Sequence, residues 1–184
     1  MKKTLIAAAC MLVSLGVYAQ GVVNFANASA SRITYDAASG AKAGTFIEAG
    51  AFKIQLYFGS QGTTDDTSLT ALSVAPALSG PVPGRFLGGN RTIPPASGAV
   101  VTVQVRAWSA AFDTYADANT PAGAAAGAFI GKSNLFDADP SDTAIAPPGQ
   151  LTGLTAFTVS PVPEPSTIAL GLLGASVLLF RRRK

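Results

Sequence analysis

No histidine occurs anywhere in this 184-residue chain, and its one cysteine, Cys10, lies in an apolar stretch near the start. The first absence removes the commonest general base, the usual nucleophilic triads and the commonest metal ligand. The second leaves the remainder without a disulfide or a thiol nucleophile, so its fold has to rest on its own core. Charge is scarce as well, at 12% of residues. No segment carries a long apolar repeat of helical period with caps. The Ala-rich run 120–128 is interrupted by Pro121, Gly123 and Gly127. There is no phosphate-binding loop, no nucleotide motif, no Cys/His cluster and no internal repeat.

What is present is unevenly distributed. The formal net charge of +3 comes from the two ends, Lys2 and Lys3 at one and Arg181, Arg182, Arg183 and Lys184 at the other. Between residues 20 and 160 seven basic residues face nine acidic ones, a net of −2. The pI near 9.2 therefore belongs to the ends and gives no ground for nucleic-acid binding. The ends also account for part of the 48% hydrophobic content.

Residues 1–19 read as a secretory signal peptide. Lys2 and Lys3 form its basic start, 5–17 its uncharged apolar core, and Val17-Tyr18-Ala19 offers small residues for cleavage between Ala19 and Gln20. Retention as an anchor is disfavoured by the short apolar run. Acylation at Cys10 is disfavoured because it would cut the apolar core in half. The C-terminus runs Val162-Pro163-Glu164-Pro165-Ser166-Thr167, then an apolar 168–180, then the four cations. Pro163 and Pro165 fix φ and push their predecessors toward extended backbone, a shape suited to a processing cleft. A helix over 165–180 would be about 24 Å long at ~1.5 Å per residue. The hydrocarbon core is roughly 30 Å thick, a deficit that snorkelling arginines and local thinning cover. The cations should stay cytoplasmic, which places the Pro-Glu-Pro segment outside with the exported body.

This tail resembles the PEP-CTERM sorting signal of Gram-negative-type bacteria on four counts together: Pro163-Glu164-Pro165, a short apolar helix, a terminal Arg cluster and an N-terminal signal peptide. The resemblance implies recognition by an exosortase, a membrane cysteine transpeptidase-like enzyme. Cleavage near the motif would release the body or transfer it to another anchor. The family is associated with exopolysaccharide-producing, biofilm-forming bacteria. The alternative is a plain tail anchor that nothing cuts. The domain organisation expected is a signal peptide over 1–19, an exported domain over 20–160 and a sorting and anchor segment over 161–184.

The middle alternates at the strand period. Phe52, Ile54, Leu56 and Phe58 share one face of 51–58, with Lys53, Gln55 and Tyr57 on the other; Val101, Val103, Val105 and Ala107 alternate with Thr102, Gln104, Arg106 and Trp108. Weaker strand patterns cover 21–26, 32–35, 45–48, 69–74, 128–132 and 154–159. Gly and Pro punctuate the gaps, including Gly88-Gly89-Asn90 and Pro147-Pro148-Gly149. This pattern predicts an all-β, antiparallel sandwich or jelly-roll-like domain, flanked by the signal peptide and a short C-terminal transmembrane helix. The segment from Pro161 to Pro165 reads as a linker.

Candidate chemistry in the middle is thin. Trp108, Tyr57 and Tyr115 are the residues that could stack on a polysaccharide, although Trp108 fits a core position equally well. Asp113 and Asp117, near Phe112 and Tyr115, are the carboxylates to test for glycan hydrolysis; a surface loop is the preferred reading. Asp137, Asp139, Ser141 and Asp142 place oxygens as Ca²⁺ would need them, but Pro140 interrupts the spacing and the EF-hand Gly and Glu are missing, so a solvated turn is preferred. Asp65-Asp66 reads as a polar loop. Asn27-Ala28-Ser29 and Asn90-Arg91-Thr92 match the glycosylation pattern by chance. The expectation is a non-enzymatic surface or matrix domain without cofactor. A carbohydrate-binding module is the second reading and a carboxylate hydrolase the third.

Overall fold

The computed structural model describes residues 21–94, 99–142 and 146–164. The expected signal peptide with its Ala19/Gln20 cleavage site, and the tail from Pro165 with Arg181, Arg182, Arg183 and Lys184, lie outside the described residues. Among the described residues no helix is long and apolar enough to cross a membrane. The described chain is mostly strand: β1 Gly21–Ala26, β2 Ile33–Tyr35, β3 Phe52–Ser60, β4 Thr70–Ala71, β5 Ala77–Leu78, β6 Leu87–Ile93, β7 Val101–Ser109, β8 Phe129–Lys132, β9 Phe136–Ala138, β10 Gly149–Gln150 and β11 Phe157–Pro161. Two short helices, α1 Tyr115–Ala118 and α2 Pro121–Ala125, fill the β7–β8 connection. Their starts are set by Thr114 and Thr120, whose hydroxyls accept from the N–H groups of Asp117 and Gly123. Pro121 suits the first turn of α2, where no N–H partner exists.

The strands form two sheets. The smaller has the order β10-β1-β6, and the larger β2-β11-β8-β7-β3-β4, with β5 also on β3 and β9 also on β7. The spine of the larger sheet is the β3–β7 antiparallel pair, in register from Phe52↔Ser109 to Ser60↔Val101. Both strands are those the alternation predicts. The sheets are mixed rather than wholly antiparallel, since β1/β10 and β2/β11 run parallel. Strands only two to three residues long, joined across wide gaps in sequence, leave no local signature of direction.

One core lies between the sheets. Val23 and Phe25 of β1 and Ile93 of β6 meet Ile54, Leu56, Val103 and Val105 of the larger sheet, all at 0–1% exposure. The opposite face of the larger sheet is also covered. There Trp108, Tyr57, Tyr115, Leu69, Ala118, Ala124, Ala128 and Val162 form a second cluster under α1 and α2. β7 is therefore buried on both faces, and its polar outer residues are satisfied: Gln104 Nε2 donates to Ser133 O at 3.2 Å and Arg106 Nε to Gln104 Oε1 at 2.8 Å.

Asn27 ties three segments together from a position only 2% exposed. Its amide donates to Ser31 O (2.8 Å) and Gly84 O (3.0 Å), and its side-chain oxygen accepts from Phe86 N (2.9 Å). An amide consumed in this way is closed to modification, so the Asn27-Ala28-Ser29 match has a purely structural meaning. β6 was expected to be a turn at Gly88-Gly89-Asn90. It is a strand because a Cβ at Gly88 would sit 2.3 Å from a ring carbon of Phe25: glycine is needed there for close packing.

Candidate functional site

The C-terminal exit is assembled by β8 and β11. Val159 pairs with Gly131, Ser160 with Ile130 and Pro161 with Phe129. The N–H of Val162 then donates to Ala128 O at 2.9 Å. In an antiparallel ladder hydrogen-bonded pairs alternate with non-bonded ones. With Val162 bonded to Ala128, the Pro161 nitrogen points away from β8. β2, the strand on that side, pairs with Phe157, Thr158 and Val159 and stops there, so the missing N–H of Pro161 costs no ladder bond. Val162 itself is 8% exposed and packs in the outer cluster with Trp108 and Tyr115. Pro163 and Glu164 are exposed. The linker expected from Pro161 is thus shorter than the sequence suggested: Pro161 and Val162 belong to the fold, because an apolar strand end finds a hydrophobic seat beneath α1 and α2.

The three aromatics singled out for glycan stacking occupy that same cluster, facing inward. Trp108 is fully buried, with Nε1–H donating to Phe112 O at 3.1 Å and its ring edge-on to Tyr115 at 6.2 Å. Arg106 lies over the Tyr57 ring at 4.0 Å and over Tyr115 at 5.4 Å. Burial pushes the Tyr115 phenol up to about 12, against the opposing pull of Arg106, and raises Tyr57 for the same reason. In the folded chain Trp108, Tyr57 and Tyr115 are all buried and build the outer cluster. The alternation correctly placed Trp108 opposite Val103 and Val105. What it did not show is that α1, α2 and Val162 cover that side too.

The carboxylates have structural partners. Asp117 Oδ2 accepts from Thr114 N and Oγ1, completing a capping box on α1, while Asp113 points into solvent near Lys53 Nζ (3.3 Å). Asp65 caps the 3-10 turn Asp66–Ser68 by accepting from Thr67 N and Oγ1. Asp66 pairs with Lys132 at 2.6 Å, which holds its carboxyl below the usual range. The stretch offered for Ca²⁺ is exposed at Asp137 and Asp139 and is tied into both sheets. Asp137 is in β9 and accepts from Thr102 Oγ1 at 2.8 Å, and Ser141 exchanges backbone hydrogen bonds with Val22 at 2.8 and 3.1 Å. The chain crosses there from the larger sheet to the smaller. Among the described residues no three carboxylates, histidines or cysteines converge on one point.

Three shallow grooves lie at the Ser60/Val101 end of the β3–β7 pair. One of about 470 Å³ is lined by Ser60, Gln61, Ser68 and Thr70. A second, about 480 Å³, is lined by Thr63, Thr64, Thr102 and Asp137. The third, about 370 Å³, takes in Asp137, Asp139, Ser141 and Gln150. Their lining mixes these hydroxyl and amide groups with apolar side chains, including Phe58, Val101, Leu135 and Phe136, a feature the sequence concealed because it comes from separate segments.

A β-rich body that runs without a spacer into an exposed Pro-Glu motif defines a class: a folded cargo with a C-terminal sorting signal. Residues 161–184 match the family model of the PEP-CTERM protein-sorting motif, so the chain carries a PEP-CTERM domain. The motif implies processing by an exosortase, export, and a cell-surface or membrane-associated location. Neither a curated protein nor a solved structure matches the chain.

Proposed function

We propose that this chain is an exported structural or adhesive protein of the cell surface or of an exopolysaccharide or biofilm matrix. A cleavable signal peptide starts the route, and a tail helix holds the chain in the membrane until exosortase processing. The observation that carries the reading is the sorting motif at 161–184 fused directly to a folded β body. Two sheets around one core suit a compact β-sandwich that withstands the exterior without disulfides. A non-catalytic role is supported by the employment of the candidate residues: Trp108 and Tyr115 build the outer cluster, and Asp117 caps a helix. Localisation in the native host tests the reading. The body should reach the surface or the medium in the wild type, and Glu164→Ala with Pro163→Ala should leave it membrane-held with its tail uncut. Surface delivery unaffected by these changes would refute it.

The grooves support a second reading, in which the body grips an extracellular polysaccharide. Hydroxyl and amide groups along Ser60–Gln61, Thr63–Thr64 and Gln150 offer the alternating donors and acceptors that sugar hydroxyls need. Gln61→Ala with Thr64→Ala should then reduce retention on the host polymer, whereas equal retention would count against these grooves.

A further inference from the structure

The fold ends one residue before the Pro-Glu-Pro motif, and this constrains how the motif is reached. A processing cleft grips its substrate as an extended strand, through backbone groups and alternate side chains on both sides of the bond to be cut. Downstream of Val162, Pro163 and Glu164 are exposed. Upstream the backbone is already engaged: Ser160 and Pro161 are paired with β8, the Val162 N–H is bonded to Ala128 O, and the Val162 side chain is buried beside Trp108 and Tyr115. The same residues cannot lie on β8 and in an enzyme cleft together.

We propose that the folded body masks the upstream half of its own sorting signal, so that the exosortase captures the motif only when residues 160–162 peel away from β8. The proposal rests on the sorting reading above and adds a regulatory step to it. The geometry favours a local opening over unfolding of the body. Beyond Val159, β11 has a strand partner on one side only, since β2 pairs with Phe157, Thr158 and Val159 and no further, and the 3-10 segment Ala37–Lys42 is what packs near it on the other. Val159 is held harder: it is fully buried, its carbonyl accepts from Asp36 N at 3.0 Å, and it lies against Gly131, where a Cβ would meet Thr158 O at 2.4 Å. The strand can therefore open to Val159 and stop. The opening precedes the chemistry and leaves its balance unchanged. One peptide bond breaks, and the tail departs with the freed amino group. The acyl group passes through the enzyme's thiol to water, giving a carboxylate, or to an amine, giving a new amide.

The test uses the full chain in cells that carry the exosortase, with processing followed by the loss of the tail from pulse-labelled protein. S160C with I130C places two thiols on a directly paired position, within disulfide reach. The oxidised lock should slow processing at least tenfold, and reduction should restore the wild-type rate. A Gly-Ser spacer inserted between Val162 and Pro163 leaves every packed residue in place and should speed processing several-fold. Wild-type rates for the oxidised lock, or for the spacer variant, would overturn the mask while leaving the sorting reading intact. A wild-type chain that reaches the surface with its tail uncut would overturn both.

Discussion

Replacing Trp108 by alanine removes the largest fully buried side chain in the described structure. Truncating a buried Trp costs about 3–5 kcal/mol through lost transfer energy and the cavity left behind. The edge-on contact with Tyr115 at 6.2 Å, worth about 1 kcal/mol, is part of that loss. One offset is visible: the Phe112 carbonyl that accepts the indole N–H also accepts from Lys53 Nζ at 2.8 Å, so it is not orphaned. The net expectation is a loss of about 4 kcal/mol, set against a total stability of about 5–15 kcal/mol for a domain. With a urea slope of about 2 kcal/mol/M, the unfolding midpoint falls by about 2 M. Trp108→Phe, which keeps a ring against Tyr115, should lose roughly half as much. The assay is equilibrium urea unfolding of residues 20–164, read by circular dichroism. A loss below about 1 kcal/mol for Trp108→Ala would refute the burial argument, because exposed sites change stability within about 0.5 kcal/mol. Reduced polysaccharide retention at full stability would restore Trp108 as a binding residue.

Further expectations follow from other buried groups. Asn27→Ala strands the Phe86 N–H and the Ser31 carbonyl, while Gly84 O keeps the Ile33 N–H, and should cost about 2–6 kcal/mol in the same assay, from about 1–3 kcal/mol per unsatisfied group. Asn27→Asp should be worse at neutral pH and recover in acid. A carboxylate facing Ser31 O and Gly84 O has its folded pKa raised, so its stabilising form is present below the unfolded pKa and lost as pH rises; stability that falls with acid would contradict this. Alkaline titration of the body should show no tyrosine at the ordinary value of 10.0, since burial raises Tyr35, Tyr57 and Tyr115, the last to about 12. Each raised group leaves stability unchanged below pH 10 and withdraws it as pH climbs through the folded pKa. Tyrosinate absorbance rising with a midpoint of 10.0 in the folded body would count against the packing of the outer cluster.

The parts of this fold legible in sequence are those where local pattern and tertiary environment agree. Phe52, Ile54 and Leu56, and Val101, Val103 and Val105, alternate because one face of β3 and β7 meets the core between the sheets. β6 was hidden because its glycines serve two demands that composition cannot separate from a turn. Gly88 clears the Phe25 ring, and Gly89 takes φ +68° beside the register shift at Asn24/Ala26. The stretch 45–48 read as a strand but contributes only the single bridge Thr34↔Phe46. Similarly, 69–74 shortens to β4. The sorting tail was readable because its signal is covalent order: proline, charge and apolar length in sequence. The burial of the aromatic cluster was hidden because the outer face of β7 carries Thr102, Gln104 and Arg106, the composition of a solvated face. Nothing local reveals that two four- to five-residue helices and Val162 cover it. Burial of polar residues on a second face is a tertiary fact, settled by partners as near in sequence as Tyr115 and as distant as Tyr57 and Val162.

The central claim, that the body is a cargo cut from its tail after export, is tested most directly by intact mass spectrometry of the protein recovered from the surface or medium of its native host. The account predicts a chain that begins at Gln20 and ends within a few residues of Glu164, lacking the apolar run and its four cations. Recovery of surface-delivered chains that still end at Lys184 would contradict it.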